Sequence, residues 1–138
     1  MINQFANLNW ISVLVAFVAY FVLGALWFTL LFKKQYAISL GKENQLPEKP
    51  APIFIIGPAL CSLVITIANA ILFYALDIQS FSTALEFSFV VGIGYLVANT
   101  VNIAINPNIP NPIHYGVISG SYHLTGIIIV NIILTAMR

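Results

Sequence analysis

Within a long apolar run near the C-terminus stand Ser119 and His123, four residues apart and therefore one turn apart on a single helix face. A neutral imidazole exchanges protons near physiological pH, and a hydroxyl beside it can donate or accept. The preceding apolar run carries Tyr95, Asn99, Asn102 and Asn106 at steps of four, three and four, which predicts a polar stripe on a second helix. An unpaired polar side chain is costly in hydrocarbon, so each of these must face a partner or a wet cavity. Counting inward at about 1.5 Å per residue from the Asn-Pro segment between the two runs puts Asn99 and His123 at similar depth. Trp27, about a turn and a half inside the end of the first apolar run, reaches the same level and can stack or donate there. Trp27, Asn99, Asn102, Ser119 and His123 together form the candidate polar or ligand site.

Three chemistries are open to that cluster. Base expectation favours adhesion between helices, worth under about 2 kcal/mol per polar contact. The sharper reading is a substrate or proton site centred on His123. Catalysis comes last, because a nucleophile needs a base and an orienting acid, and no carboxylate lies near the depth of His123; no catalytic residue is assigned. His114 precedes His123 by nine residues with no Asp, Glu or Cys to join them, so neither a metal site nor a cofactor is expected.

Other residues have narrower readings. Glu86, the single acid inside an apolar run, sits near the start of that run; it is read as reaching the interface, with ion passage as its alternative. Asn69 and Asn131 lie deeper in the opposite half and are expected to bond across helices. Gly116 and Gly120 have small-xxx-small spacing and, with Gly24, are read as helix-packing positions. Cys61 is the only cysteine and is expected to pack as a small hydrophobe. Trp10 and Tyr36 suit the membrane interface.

The elements that must hold these residues follow from composition. Hydrophobic residues make up 60% of the 138 and charged residues 7%, with a mean hydropathy of +0.97. Globular domains carry roughly a quarter charged residues, so a water-facing surface cannot be built here and lipid must be the outer solvent. A net charge of +1 excludes nucleic acid as a partner, for want of a basic face. A membrane crossing takes about 20 apolar residues. Residues 10–32, 53–76, 81–105 and 113–137 qualify, and none alternates polar and apolar as barrel strands do. The fold expected is an all-α integral membrane protein, a four-helix transmembrane bundle of up-down topology in one domain.

The connections agree. Residues 33–52 are polar, contain Pro47, Pro50 and Pro52, and are expected to form an extended, water-facing linker. Asp77 to Ser80 is a tight turn, and the Asn-Pro run 106–112 ends one helix and starts the next. Pro58 either kinks the second helix or marks a later start. Lys33, Lys34, Lys42 and Lys49 all lie in the 33–52 linker, which predicts that linker and the 106–112 loop in the cytoplasm, with both termini opposite; in a bacterium this is the inner membrane. The first apolar run has no basic start and is too long for a cleaved signal, so it is read as a retained span.

Asn9-Trp10-Ile11-Ser12-Val13-Leu14-Val15-Ala16, followed by Leu23-Gly24-Ala25-Leu26-Trp27-Phe28 and Leu31-Phe32, resembles a bacterial membrane family catalogued as domain of unknown function seventeen-sixty-one. Tyr122-His123-Leu124, preceded by Asn99 and Asn102, carries the resemblance into the last two spans, and the matching pieces cover about half the chain by eye. The chain departs from the family's Tyr-Ser-Pro with Phe28-Thr29-Leu30, has Lys33 for a glycine, and has the Asn-Pro run in place of Gly-Arg-Pro. The resemblance implies a compact four-span protein and adds no activity. The expectation is a non-enzymatic, self-associating bundle in the lipid bilayer, a homo-oligomer joined through the Gly116/Gly120 face; the alternative is a small oligomeric transporter or channel using Asn99 and His123, its small-molecule ligand unknown.

Overall fold

Residues 2–45 and 51–138 are described by a computed structural model. Among them are four helices long and apolar enough to cross a membrane, Trp10–Leu31, Ile53–Ala75, Phe81–Ala104 and Pro112–Ala136, and no strand. The fold is the expected all-α bundle. Pro47, Glu48, Lys49 and Pro50 of the linker lie outside the described residues.

Each helix starts and stops for a local reason. Helix α1, Trp10–Leu26, is capped by Asn9, whose side chain accepts from the amides of Ile11 at 3.1 Å and Ser12 at 3.3 Å. It runs on through a π-helical turn, Trp27–Leu31, closed by a 2.8 Å bond from the Phe32 amide to the Trp27 carbonyl five residues back. Linker composition predicts an extended segment after it, yet the first linker residues form a short helix, α2, Lys33–Ser39. Gly41, at φ +65°, ends it: its amide bonds the Ile38 carbonyl and the Lys42 amide bonds the Ala37 carbonyl, the paired closure a left-handed residue permits. Composition hides this helix because the linker prolines all come after it.

Helix α3, Ile53–Ala75, begins directly after Pro52 and runs through Pro58, so the alternative of a later start does not occur. Its end repeats the closure of α2, with Asp77 at φ +51°, and the next residue, Ile78, is buried. The third span is α4, Phe81–Val91, a π-helical turn, Gly92–Val97, and α5, Ala98–Ala104. Ser80 caps it by accepting from the Thr83 amide at 3.1 Å. Helix α6, Pro112–Ala136, starts on proline, where a missing amide costs nothing.

Helix α6 is the hub. Half of its membrane-length window, 50%, is buried, against 22%, 22% and 17% for the others, because it packs on α1 and the whole third span and also touches α3. Helix α3 leans on α1 and scarcely touches the third span. One side of the bundle therefore stays open.

The two ends are tied differently. At one end Asn9 donates to the Met137 carbonyl at 2.7 Å, Tyr74 accepts from the Asn9 amide, and Arg138 pairs with Asp77 and bonds the Ile78 carbonyl. The start of α1, the end of α6 and the Asp77 turn thus share that end. At the other end Asn111 bonds the Ser39 and Ile38 carbonyls, seating α2 against the Asn-Pro loop.

Candidate functional site

A cavity of about 800 Å³ lies in the half of the bundle below α2, between α1, α3, α5 and α6. Asn99, Ser119 and His123 line it together; Trp27 and Asn102 do not. Three of the five residues grouped in the sequence are thus brought to one space, and Trp27 and Asn102 stand outside its lining.

Asn102 is exposed near the end of α5, where interfacial water can serve its amide. It follows Asn99 by three residues within α5 and so stands about 60° round the helix from it. The π turn at Gly92–Val97 holds an extra residue, which turns the rest of the span by about 100° relative to a 3.6-residue spiral and leaves Tyr95 70% exposed, off the face of Asn99. Trp27 sits one layer behind the wall: its indole donates to the Ile118 carbonyl at 3.1 Å, and its ring lies 6.4 Å from Tyr122. Glu86 is exposed on α4 and does not line this cavity.

The floor of the cavity is a Tyr20–His123 pair that sequence reasoning does not single out. The Tyr20 ring is fully buried, and its hydroxyl lies 2.6 Å from His123 Nδ1. One proton is shared along that contact and the tautomer of the ring sets which atom donates it; when the phenol donates to Nδ1, the neutral ring carries its own proton on Nε2. Nε2 has no partner among the described residues. A tyrosine deep in a span, away from the interface where such residues serve as anchors, is the signal the sequence offers. Gly126 makes room for it: a Cβ there would stand 2.1 Å from Tyr20 Cε2.

Ser119 is 3% exposed, and its hydroxyl has no hydrogen-bond partner. The other buried serines and threonines, Ser12, Ser39, Ser62, Thr66 and Ser88, each donate to a carbonyl three or four residues back, at 2.7 to 2.8 Å. Ser119 alone among them keeps its capacity unused, on the wall of the cavity. Asn99 adds an amide with both donors and acceptor unengaged among the described residues.

Aromatic rings form one side of the space from floor to mouth. Tyr20 lies 5.3 Å from Tyr122, Tyr122 5.2 Å from Phe28, Phe28 4.7 Å from Tyr36 and Tyr36 5.7 Å from Tyr115, all within the range of favourable ring contacts. Tyr36, expected as an interfacial anchor, is folded over the mouth by α2 instead. Burial, with the Tyr115 phenol beside it, pushes the Tyr36 hydroxyl up to about 12, so it remains a neutral donor at any physiological pH.

Cys61 is exposed and lines the cavity rather than packing as a buried hydrophobe, because the side of α3 that carries it faces the open gap. Pro58 has no amide for the Phe54 carbonyl, and both residues are on the cavity wall. No Asp, Glu, Lys or Arg among the described residues lines the space.

Beneath the floor the bundle is closed. Asn69 donates to Asn131 at 2.6 Å and Asn131 to Ser88 at 2.8 Å, linking α3, α6 and α4 as their depth suggests, among the buried Phe73, Ile127 and Val130. Gly116 and Gly120 are buried against Val101 and Val97 of the third span, and Gly24 packs against Tyr122. The glycine spacing on α6 is thereby used within the chain.

The family model described as "Protein of unknown function (DUF1761)" matches residues 11–135. No curated protein and no solved structure matches the chain.

Proposed function

The chain belongs to this family of proteins of unknown function, and from that premise we propose that it acts by binding: it takes an uncharged molecule out of the membrane and holds it in the cavity, without catalysis. One observation carries the reading. A space of about 800 Å³, within the roughly 300–1,000 Å³ of small-molecule sites, is walled by polar groups with hydrogen-bonding capacity to spare and by no charge among the described residues. A charged occupant would lose its hydration with nothing to replace it, which favours a neutral one. The lysines at the start of α2 support a mouth on the cytoplasmic side.

A conduit is the weaker reading, because the buried Tyr20 and the Asn69–Asn131–Ser88 layer close the space toward the far side. Passage would require a second copy to complete the path. Photolabelling in nanodiscs separates these ideas from simple lipid contact. A neutral diazirine-bearing alcohol is expected to mark peptides containing Cys61 and Ser119–His123, with marking suppressed by excess unlabelled alcohol. Labelling spread evenly over outward residues such as Val64 and Val117, and insensitive to competition, would refute the binding site.

A further inference from the structure

We infer that the ligand is a lipid-borne ring carbonyl compound of the quinone type, entering sideways between α3 and α5 with its ring inside and its hydrocarbon tail left in the gap. This rests on the binding function proposed for the cavity and gives it a chemical class.

The open side of the bundle supplies the route. Because α3 scarcely touches the third span, the cavity meets lipid along a slot with Ile55, Pro58 and Cys61 on one edge and Asn99 and Ile103 on the other, all exposed. A molecule arriving there comes from the hydrocarbon phase and can keep an apolar chain outside.

The polar groups supply the head-group chemistry. In the tautomer whose Nδ1 accepts from Tyr20, His123 offers an Nε2–H donor, and the unpartnered Ser119 offers a second, one turn away on the same helix. Two unspent donors call for an acceptor, and a carbonyl oxygen with two lone pairs takes both. The continuous run Tyr20, Tyr122, Phe28, Tyr36 and Tyr115 suits a flat ring, and electron-rich phenols stack well on an electron-poor quinone. A phosphate or carboxylate head would find no cation among the described wall residues, and a simple alcohol would leave the ring wall unmatched.

The single cysteine reports occupancy. The full chain in nanodiscs is treated with a membrane-permeant maleimide, and the rate of Cys61 alkylation is followed with and without added probe. The probe is a fully substituted benzoquinone with a decyl tail, which does not add to thiols; decanol and decyl sulfate at equal membrane concentration are the comparators. The quinone is expected to slow alkylation saturably, decanol to do so more weakly and decyl sulfate not at all. Ser119→Ala should raise the half-protecting quinone concentration by up to about tenfold, the equivalent of one hydrogen bond. The reduced hydroquinone replaces the carbonyl oxygens by phenol oxygens, which accept more weakly, and should protect less than the quinone. If decanol protects as well as the quinone, the binding site stands and the quinone assignment is wrong. Alkylation unchanged by either uncharged probe, in the wild type and in a slot-widening Asn99→Ala variant, overturns both the assignment and the binding reading.

Discussion

Gly126→Ala adds a single methyl group where α6 meets the Tyr20 ring, and its effect can be worked from the geometry. The new Cβ would lie 2.1 Å from Cε2, 2.3 Å from Cδ2 and 3.1 Å from Cζ of Tyr20. Carbon contacts settle near 3.5 Å, so the ring or the helix must move by about 1.4 Å. Tyr20 is fully buried, stacked on Tyr122 and held to His123, and cannot swing aside freely. Overpacking of this kind costs about 1–3 kcal/mol, and a displaced Tyr20–His123 hydrogen bond about 1 more. Against this stands the helix preference for alanine, at most about 1 kcal/mol and less here, since membrane helices persist in the unfolded reference state. The expected net loss is about 2 kcal/mol, a shift of roughly thirtyfold in the unfolding constant. Unfolding in mixed micelles, by titrating a denaturing into a mild detergent, measures it. Repeating the substitution in a Tyr20→Leu background should cost less than about 0.5 kcal/mol, because the ring is gone. Stabilisation by Gly126→Ala, or an equal cost in both backgrounds, would refute the argument that this glycine exists to seat Tyr20 beneath the cavity.

The closed half and the paired ends give two further outcomes. Asn131→Leu breaks the bonds to Asn69 and Ser88 and should cost about 1–3 kcal/mol in the same unfolding assay, while the Asn69→Leu/Asn131→Leu pair should cost less than the two singles added, since no buried amide is then left alone. Asp77 accepts from Gln79 and pairs with Arg138, which holds its carboxyl below the ordinary 3.8. A carboxyl depressed in the folded state stabilises it above the unfolded value, and that contribution fades as pH falls through the folded one. Asp77 is exposed, so the effect is small; below about pH 4 the wild type should lose its margin over Asp77→Asn, and a constant gap down to pH 2 would contradict the pairing.

How much of the molecule is legible in its sequence depends on how strongly each feature constrains the chain. Long runs without charge admit one economical fold in lipid, helices that satisfy their own peptide groups, so the four-helix all-α architecture is legible from hydropathy and from the Pro and Asn punctuation between runs. Ser119 and His123 are legible as a pair because uninterrupted α-helix joins them, and depth counting carries Asn99 to the same level. The same counting fails for Tyr95, because a π turn at Gly92–Val97 shifts the phase of the third span and nothing local in Gly-Ile-Gly-Tyr announces it; Asn102 shares α5 with Asn99 but stands about 60° round the helix from it, outside the lining. For Trp27 it gives the right depth and the wrong layer, because depth says nothing of which ring lies in front. The cavity itself, its slot beside Cys61 and its Tyr20–His123 floor belong to tertiary structure alone. They depend on α6 packing against all three neighbours while α3 stays apart from α5, and that choice is made by shape, by Gly126 yielding to Tyr20 and Gly116 and Gly120 to the valines, between helices far apart in the chain.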